Sequence, residues 1–289
     1  MVPEGCKVIE ALPSQMAYEV YYVEGFYATR DVDGRERPLR YYAVIPTKGS
    51  PMGSRGDDSL RFPTIVYCQG SGWHQQWIWH HMAHHVRMAE RGFVVMSVEV
   101  RPYGETVFPG EVDGFAAAVR YVREHAAELR IDADRIAFWG DSSGAHTALM
   151  AAYGASEELT PRCVVDWYGP SDLRLFYQHG WTYDLHGPTS PAGRMLGGIE
   201  LAEHPDRAWE ASPVSLVAAE AAVPPTLIMH GGADELLPFE QSAALYERLR
   251  EAGKDAEFYR VEGAGHGEGS FDNAAVLDIV EGFLRKHMA

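Results

Sequence analysis

Residues 135–153 read RIAFWGDSSGAHTALMAAY. The first five, Arg135 to Trp139, read as a short strand. From Ser143 to Tyr153 small and apolar residues continue without a turn former, which reads as a closely packed helix. Between the two lies G-x-S-x-G, with Gly140, Ser142 and Gly144. A sharp strand-to-helix turn strains its central residue and crowds its neighbours, so residues without Cβ are wanted on both sides while the central hydroxyl projects outward. Ser142 is therefore the candidate nucleophile. The competing reading is a Gly/Ser-rich helix start in which Ser142 or Ser143 only caps.

Strand and helix alternate outward from this turn in both directions. Tyr18 to Ala28 and Leu39 to Pro46 flank Asp33-Gly34 and predict an antiparallel hairpin. Thr64 to Cys68 predicts a buried strand, 76–91 a helix, Phe93 to Val98 a strand, and Glu111 to Glu128 a helix. After the turn, Cys163 to Trp167, Pro225 to His230 and Ala256 to Val261 predict strands, with helices over Phe239 to Ala252 and Asn273 to His287. Such alternation implies an α/β fold in one domain over residues 1–289, a mostly parallel sheet with helices on both faces. Ser171 to Val223 is too long for an ordinary connection between strands. Its Phe176, Tyr177, Trp181, Tyr183 and Trp209 suit a cap inserted over a site, with a decorated surface loop as the alternative.

A serine hydroxyl needs a base oriented by a third group. G-x-S-x-G on a strand-to-helix turn resembles the nucleophile turn of α/β-hydrolases, and that resemblance implies that acid and base follow the serine in that order along the chain. Of 13 histidines, His266 in the glycine-rich loop EGAGHGEG precedes the closing helix, while His287 lies in the tail. The acid should end a strand and precede the base. Asp234 in GADELLP does so, Asp166 is its rival and Glu235 a third choice. The developing oxyanion of acyl transfer needs preorganised N–H groups. The loop Gly70 to Trp73 can supply them beside the Ser143 N–H.

Taken together, QGSGW (69–73), FWGDSSGAH (138–146), VDWYGPSDL (165–173), MHGGADELLP (229–238) and GAGHG (263–267) resemble a serine esterase of the α/β-hydrolase superfamily. The similar branch holds hormone-sensitive-lipase-like and feruloyl- or acetylxylan-esterase-like enzymes, with prolyl-oligopeptidase catalytic domains more distant. The resemblance runs from about Tyr41 to Arg285, and departs from that family's H-G-G-G-W motif at Gln69 and Ser71. It implies an α/β-hydrolase fold with a cap over 171–223 and a cofactor-independent carboxylic ester hydrolase. Ser142 would attack, His266 transfer protons, and Asp234 fix the imidazole tautomer. Gly72, Trp73 and Ser143 amides would hold the oxyanion. Trp73, Trp77, Tyr177 and Trp181 would contact a small ester carrying a short acyl group, with a carbohydrate-linked alcohol left open. The same triad cuts amides, so a peptidase or amidase of the prolyl-oligopeptidase-like branch is the alternative, and a non-catalytic ligand-binding relative another.

Composition narrows the partners. Twenty-five Lys and Arg against 41 Asp and Glu leave a net charge of −16, which disfavours nucleic acid and anionic membranes as partners. Cys6, Cys68 and Cys163 show no C-x-x-C spacing, so a disulfide framework is not expected and a reduced cytoplasm fits. The opening MVPEGCKVIEALPSQMAYEV does not read as a signal peptide. A homo-oligomer remains open. HHMAHH, with His80, His81, His84 and His85, has helical spacing for a metal but lacks the Glu of H-E-x-x-H, and reads as a polar helix face with no metal expected.

Overall fold

The computed structural model of the chain describes residues 17–48, 59–178, 183–267 and 269–289. Eight strands, β1 (Glu19–Val32), β2 (Arg35–Thr47), β3 (Phe62–Cys68), β4 (Val94–Val98), β5 (Ile131–Asp141), β6 (Val164–Trp167), β7 (Thr226–Gly231) and β8 (Ala256–Val261), form one sheet. Its order is β1-β2-β4-β3-β5-β6-β7-β8. Only β2 runs against its neighbours, because the tight Asp33-Gly34 turn reverses the chain, whereas β3 to β8 are joined by crossovers and pair in parallel. This is the α/β-hydrolase arrangement that the resemblance implies.

Helices cover both faces: α1 (Met82–Glu90), α2 (Gly110–Glu124), α3 (Ser142–Tyr153), α7 (Glu240–Glu251) and α8 (Ala274–His287). Because side chains alternate across a strand, neighbouring residues feed different cores. Val66, Phe138 and Ile228 pack with Phe115 and Val119 of α2, Leu149 of α3 and Leu245 of α7. Their neighbours Tyr67, Trp139 and Met229 pack with Met88 of α1 and Val280 and Phe283 of α8. None of the described helices is long and apolar enough to cross a membrane.

Several expected boundaries move by up to four residues, and one moves further. The helix expected over 76–91 begins only at Met82, because the preceding segment is held as a loop by two glutamines. Gln76 donates from Nε2 to the Gln69 carbonyl at 2.7 Å and accepts the Val100 N–H at 2.6 Å, while Gln69 Oε1 accepts the Trp77 N–H at 2.7 Å.

Between β6 and β7 the chain adds α4 (Leu175–Gln178), α5 (Pro191–Met195) and α6 (Pro205–Glu210) with intervening 3-10 turns. They contribute no strand to the sheet. Phe176, Leu185, Ala192, Met195 and Leu201 build a separate apolar cluster that closes on Trp73 from the β3–α1 loop and Leu237 from the β7–α7 loop. Burying this face is what holds such short helices, which could not persist alone.

Candidate active site

Ser142 opens α3 directly after β5, with φ +51°. A non-glycine residue in this region costs about 1–3 kcal/mol and persists only where its surroundings over-determine it. Here the two flanking glycines do so by close approach. A Cβ at Gly140 would stand 2.5 Å from the Ala145 nitrogen, and one at Gly144 2.1 Å from the Cys68 carbonyl oxygen. Neither backbone could give way, so the strand-to-helix turn excludes side chains two residues to either side of Ser142, at positions 140 and 144.

The loops after β7 and β8 bring the other two residues to this turn. His266 Nε2 accepts from Ser142 Oγ at 3.0 Å, and His266 Nδ1 donates to Asp234 Oδ2 at 2.8 Å. That tautomer follows from the acceptor-only carboxylate. Asp234 Oδ1 accepts the Leu236 and Leu237 N–H groups, both at 2.9 Å. A second imidazole, His230 Nε2, lies 3.3 Å from Asp234 Oδ2. Burial opposes ionisation of Asp234, but His230, His266 and the Leu237 N–H outweigh it and hold its pKa well below the usual carboxylate value. The ring of Tyr168 supports His266 edge-on, centroids 4.7 Å apart.

The rivals sit elsewhere. Asp166 lies within β6 and accepts the Gly169 N–H at 2.8 Å, and burial raises its pKa to about 7. Glu235 is exposed. His287 belongs to α8 and packs on Phe283.

Of the three expected oxyanion donors, Ser143 and Gly72 keep uncommitted N–H groups among the described residues and Trp73 does not. Ser143, second residue of α3, has one of the N–H groups that a helix leaves without an intrahelical acceptor. The Gly72 N–H has no protein acceptor among the described residues. The Trp73 N–H, however, is occupied: it donates to Ser143 Oγ at 3.1 Å, and the Ser71 N–H donates to the same oxygen at 2.9 Å. Beneath the loop, Asp141 Oδ1 accepts the Gly70 N–H at 2.8 Å and the Tyr67 hydroxyl at 2.6 Å. Ser143 and Asp141, the two neighbours of Ser142, thus fasten the loop to the turn. Sequence reasoning named Ser143 only for its amide and missed its side-chain role, and it missed Asp141 and His230 altogether. The adjacency of Asp141 and Ser143 to Ser142 was a signal, and the i−4 spacing of His230 from Asp234 another.

Gly72, Trp73, Ser142, Phe176, Leu185 and Leu237 line a mostly apolar pocket of about 100 Å³. Trp73 is its oriented wall, since its indole N–H donates to His146 Nδ1 at 3.2 Å and His146 Nε2 donates to the Ala211 carbonyl at 2.7 Å. Burial lowers the His146 pKa to about 4, so the ring stays neutral and able to accept. Two other expected contact residues do not line this pocket. Trp77 is 73% exposed and borders a separate groove with Arg37 and Arg40, because the Gln69 tether turns its segment away from Ser142. Tyr177 packs on the outside of the apolar cluster, and its helical neighbour Phe176 takes the pocket wall. Trp181 lies outside the described residues.

The BD-FAE family model matches residues 54–249. Among curated proteins, esterase LipQ of Mycobacterium tuberculosis is 26% identical over 269 residues, covering 83% of this chain and 60% of LipQ. The chain thus spans little more than half the length of the curated relatives it matches. Among solved structures, a truncated carbohydrate esterase from gut microbiota superposes with TM-score 0.77 at 24% identity, covering 96% of this chain and 99% of that one. The butyrate-bound esterase Est2 of Thermogutta terrifontis gives TM-score 0.66 at 25% identity, covering 94% and 95%.

Proposed function

The chain belongs to the BD-FAE family, and from that premise we propose that it is a serine carboxylesterase in which Ser142, His266 and Asp234 act as the catalytic triad. The observation that carries this reading is the pair of hydrogen bonds at His266, to Ser142 Oγ at 3.0 Å and Asp234 Oδ2 at 2.8 Å. His266 removes the hydroxyl proton as Ser142 attacks the ester carbonyl, and Asp234 holds the imidazole in the tautomer that can accept it. The tetrahedral oxyanion is received by the Gly72 and Ser143 amides, preorganised by the loop contacts of Ser143 and Asp141. The alcohol leaves with the proton from His266, and water then releases the acid from the acyl-enzyme.

Segment 171–223 acts as a cap, and its apolar pocket receives the acyl group. About 100 Å³ is less than the ~150 Å³ that houses a benzene ring. It suits acetyl to about butyryl and leaves longer chains without buried surface, at about 0.8 kcal/mol for each unburied methylene. The likeness to a carbohydrate esterase and to a butyrate-bound esterase supports a short acyl group on a carbohydrate alcohol. A fluorophosphonate probe should label Ser142, and Ser142→Ala should lose about six orders of magnitude of p-nitrophenyl acetate hydrolysis with the fold intact. Labelling at Ser143, or retained turnover, rejects the assignment. A kcat/KM maximum at octanoate rejects the short acyl group, and failure to deacetylate xylo-oligosaccharides rejects the carbohydrate alcohol alone.

A further inference from the structure

The histidine run at the start of α1 acquires a partner that its spacing alone does not contain. His81 is the N-cap of α1 and His84 lies one turn in, on the same face. The loop after His266 folds into a 3-10 turn, Gly269–Asp272, that ends against this face. His84 Nδ1 stands 2.8 Å from Asp272 Oδ1. One ligating atom each from His81, His84 and Asp272 all lie within 4.8 Å of one another.

The surroundings resemble those of a built site. The His84 side chain has no solvent exposure, stacked on Trp139 and packed against Trp167. Asp141 Oδ2 lies 3.4 Å from His81 Nε2, a carboxylate-to-imidazole contact that supports a metal ligand when the other ring nitrogen, Nδ1, does the ligating. Asp272 is 38% exposed and gives an entry path from solvent. Two imidazoles and one carboxylate leave a fourth position for water, a set suited to a borderline divalent ion such as Zn²⁺. Donor atoms about 2.0–2.1 Å from a tetrahedral ion stand roughly 3.3 Å apart, so the widest pair need close by no more than about 1.5 Å.

We propose that His81, His84 and Asp272 form a binding site for one zinc-class divalent cation, which ties the start of α1 to the loop that carries His266. The site does not depend on ester hydrolysis.

Zn²⁺ titrated calorimetrically into the tag-free, chelator-stripped full chain should bind at one equivalent and raise Tm by several degrees at saturation. Asp272→Asn keeps a hydrogen-bond acceptor for His84 but removes the anionic ligand, and should weaken binding at least 100-fold without lowering the metal-free Tm. His81→Gln should weaken it similarly. His84 is left intact because truncation between two tryptophans would confound folding. Absence of saturable one-equivalent uptake overturns the proposal, as does undiminished affinity in both variants, which would place the ion elsewhere.

Discussion

The backbone N–H of Trp73 donates to the side-chain oxygen of Ser143 at 3.1 Å. In the proposed mechanism one residue beside the candidate nucleophile thus offers its own amide to the oxyanion, while its hydroxyl holds the loop whose Gly72 amide is the other proposed donor. Ser143→Ala keeps the first and releases the second. Its kcat for p-nitrophenyl acetate should fall about tenfold to 100-fold, less than or near the effect of deleting one oxyanion donor outright. KM should change little, and an unaltered kcat would show that the loop holds its shape without the Ser143 hydroxyl.

Asp234→Asn should lower kcat by about 10⁴ by favouring the wrong His266 tautomer. His230→Gln leaves the His266 bond in place and removes one of the groups that keep Asp234 ionised, so a smaller loss, of about tenfold, is expected. Asp166→Asn should leave kcat within about threefold. The reverse ranking of Asp234 and Asp166 in steady-state assays would move the acid to β6.

Asp166 carries a signature in stability instead. Its folded pKa of about 7 is raised above the unfolded carboxylate value near 3.9 by burial. The folded state therefore holds a proton that the unfolded state has lost between about pH 4 and pH 7. Stability falls as pH rises through that window and stays reduced above it. Asp166→Asn keeps the acceptor for the Gly169 N–H and cannot ionise. Its Tm should exceed that of the parent by several degrees at pH 8.5 and approach it at pH 5. A gap independent of pH in differential scanning calorimetry would mean that Asp166 is already ionised in the fold.

Phe176 lines the pocket and Trp77 does not. Phe176→Ala should shift the p-nitrophenyl ester preference toward hexanoate or octanoate by roughly tenfold in kcat/KM relative to acetate, as the vacated volume receives extra methylenes at about 0.8 kcal/mol each. Trp77→Ala should leave the ratio within twofold. Equal profiles for both variants would place the acyl group in some other cleft.

Most of the fold was legible along the chain. The alternating apolar runs and helical periods located every strand of the sheet, because residues buried on both faces of a parallel strand must be apolar and residues in connecting turns must break that pattern. The same local logic pointed to Ser142, since a strained turn packed against Cys68 and Ala145 admits only glycine at positions 140 and 144. Asp234 and His266 were legible as residues of glycine-led turns after strands, with the chain order of the resembling family deciding between candidates.

What the sequence by itself determined is therefore the eight strands, the helices that cover them and the turns that carry Ser142, Asp234 and His266, for these follow from periodicity and from backbone demands felt within a few residues; the choice of those three as a proposed triad came from the resemblance. Tertiary structure alone decided which amide of the 70–73 loop is free, which aromatics face the pocket, and that Asp272 meets His84 from 188 residues away. Those outcomes depend on where a side chain's last polar atom finds a partner across the sheet. That is a property of packed surfaces, which no spacing along one segment encodes.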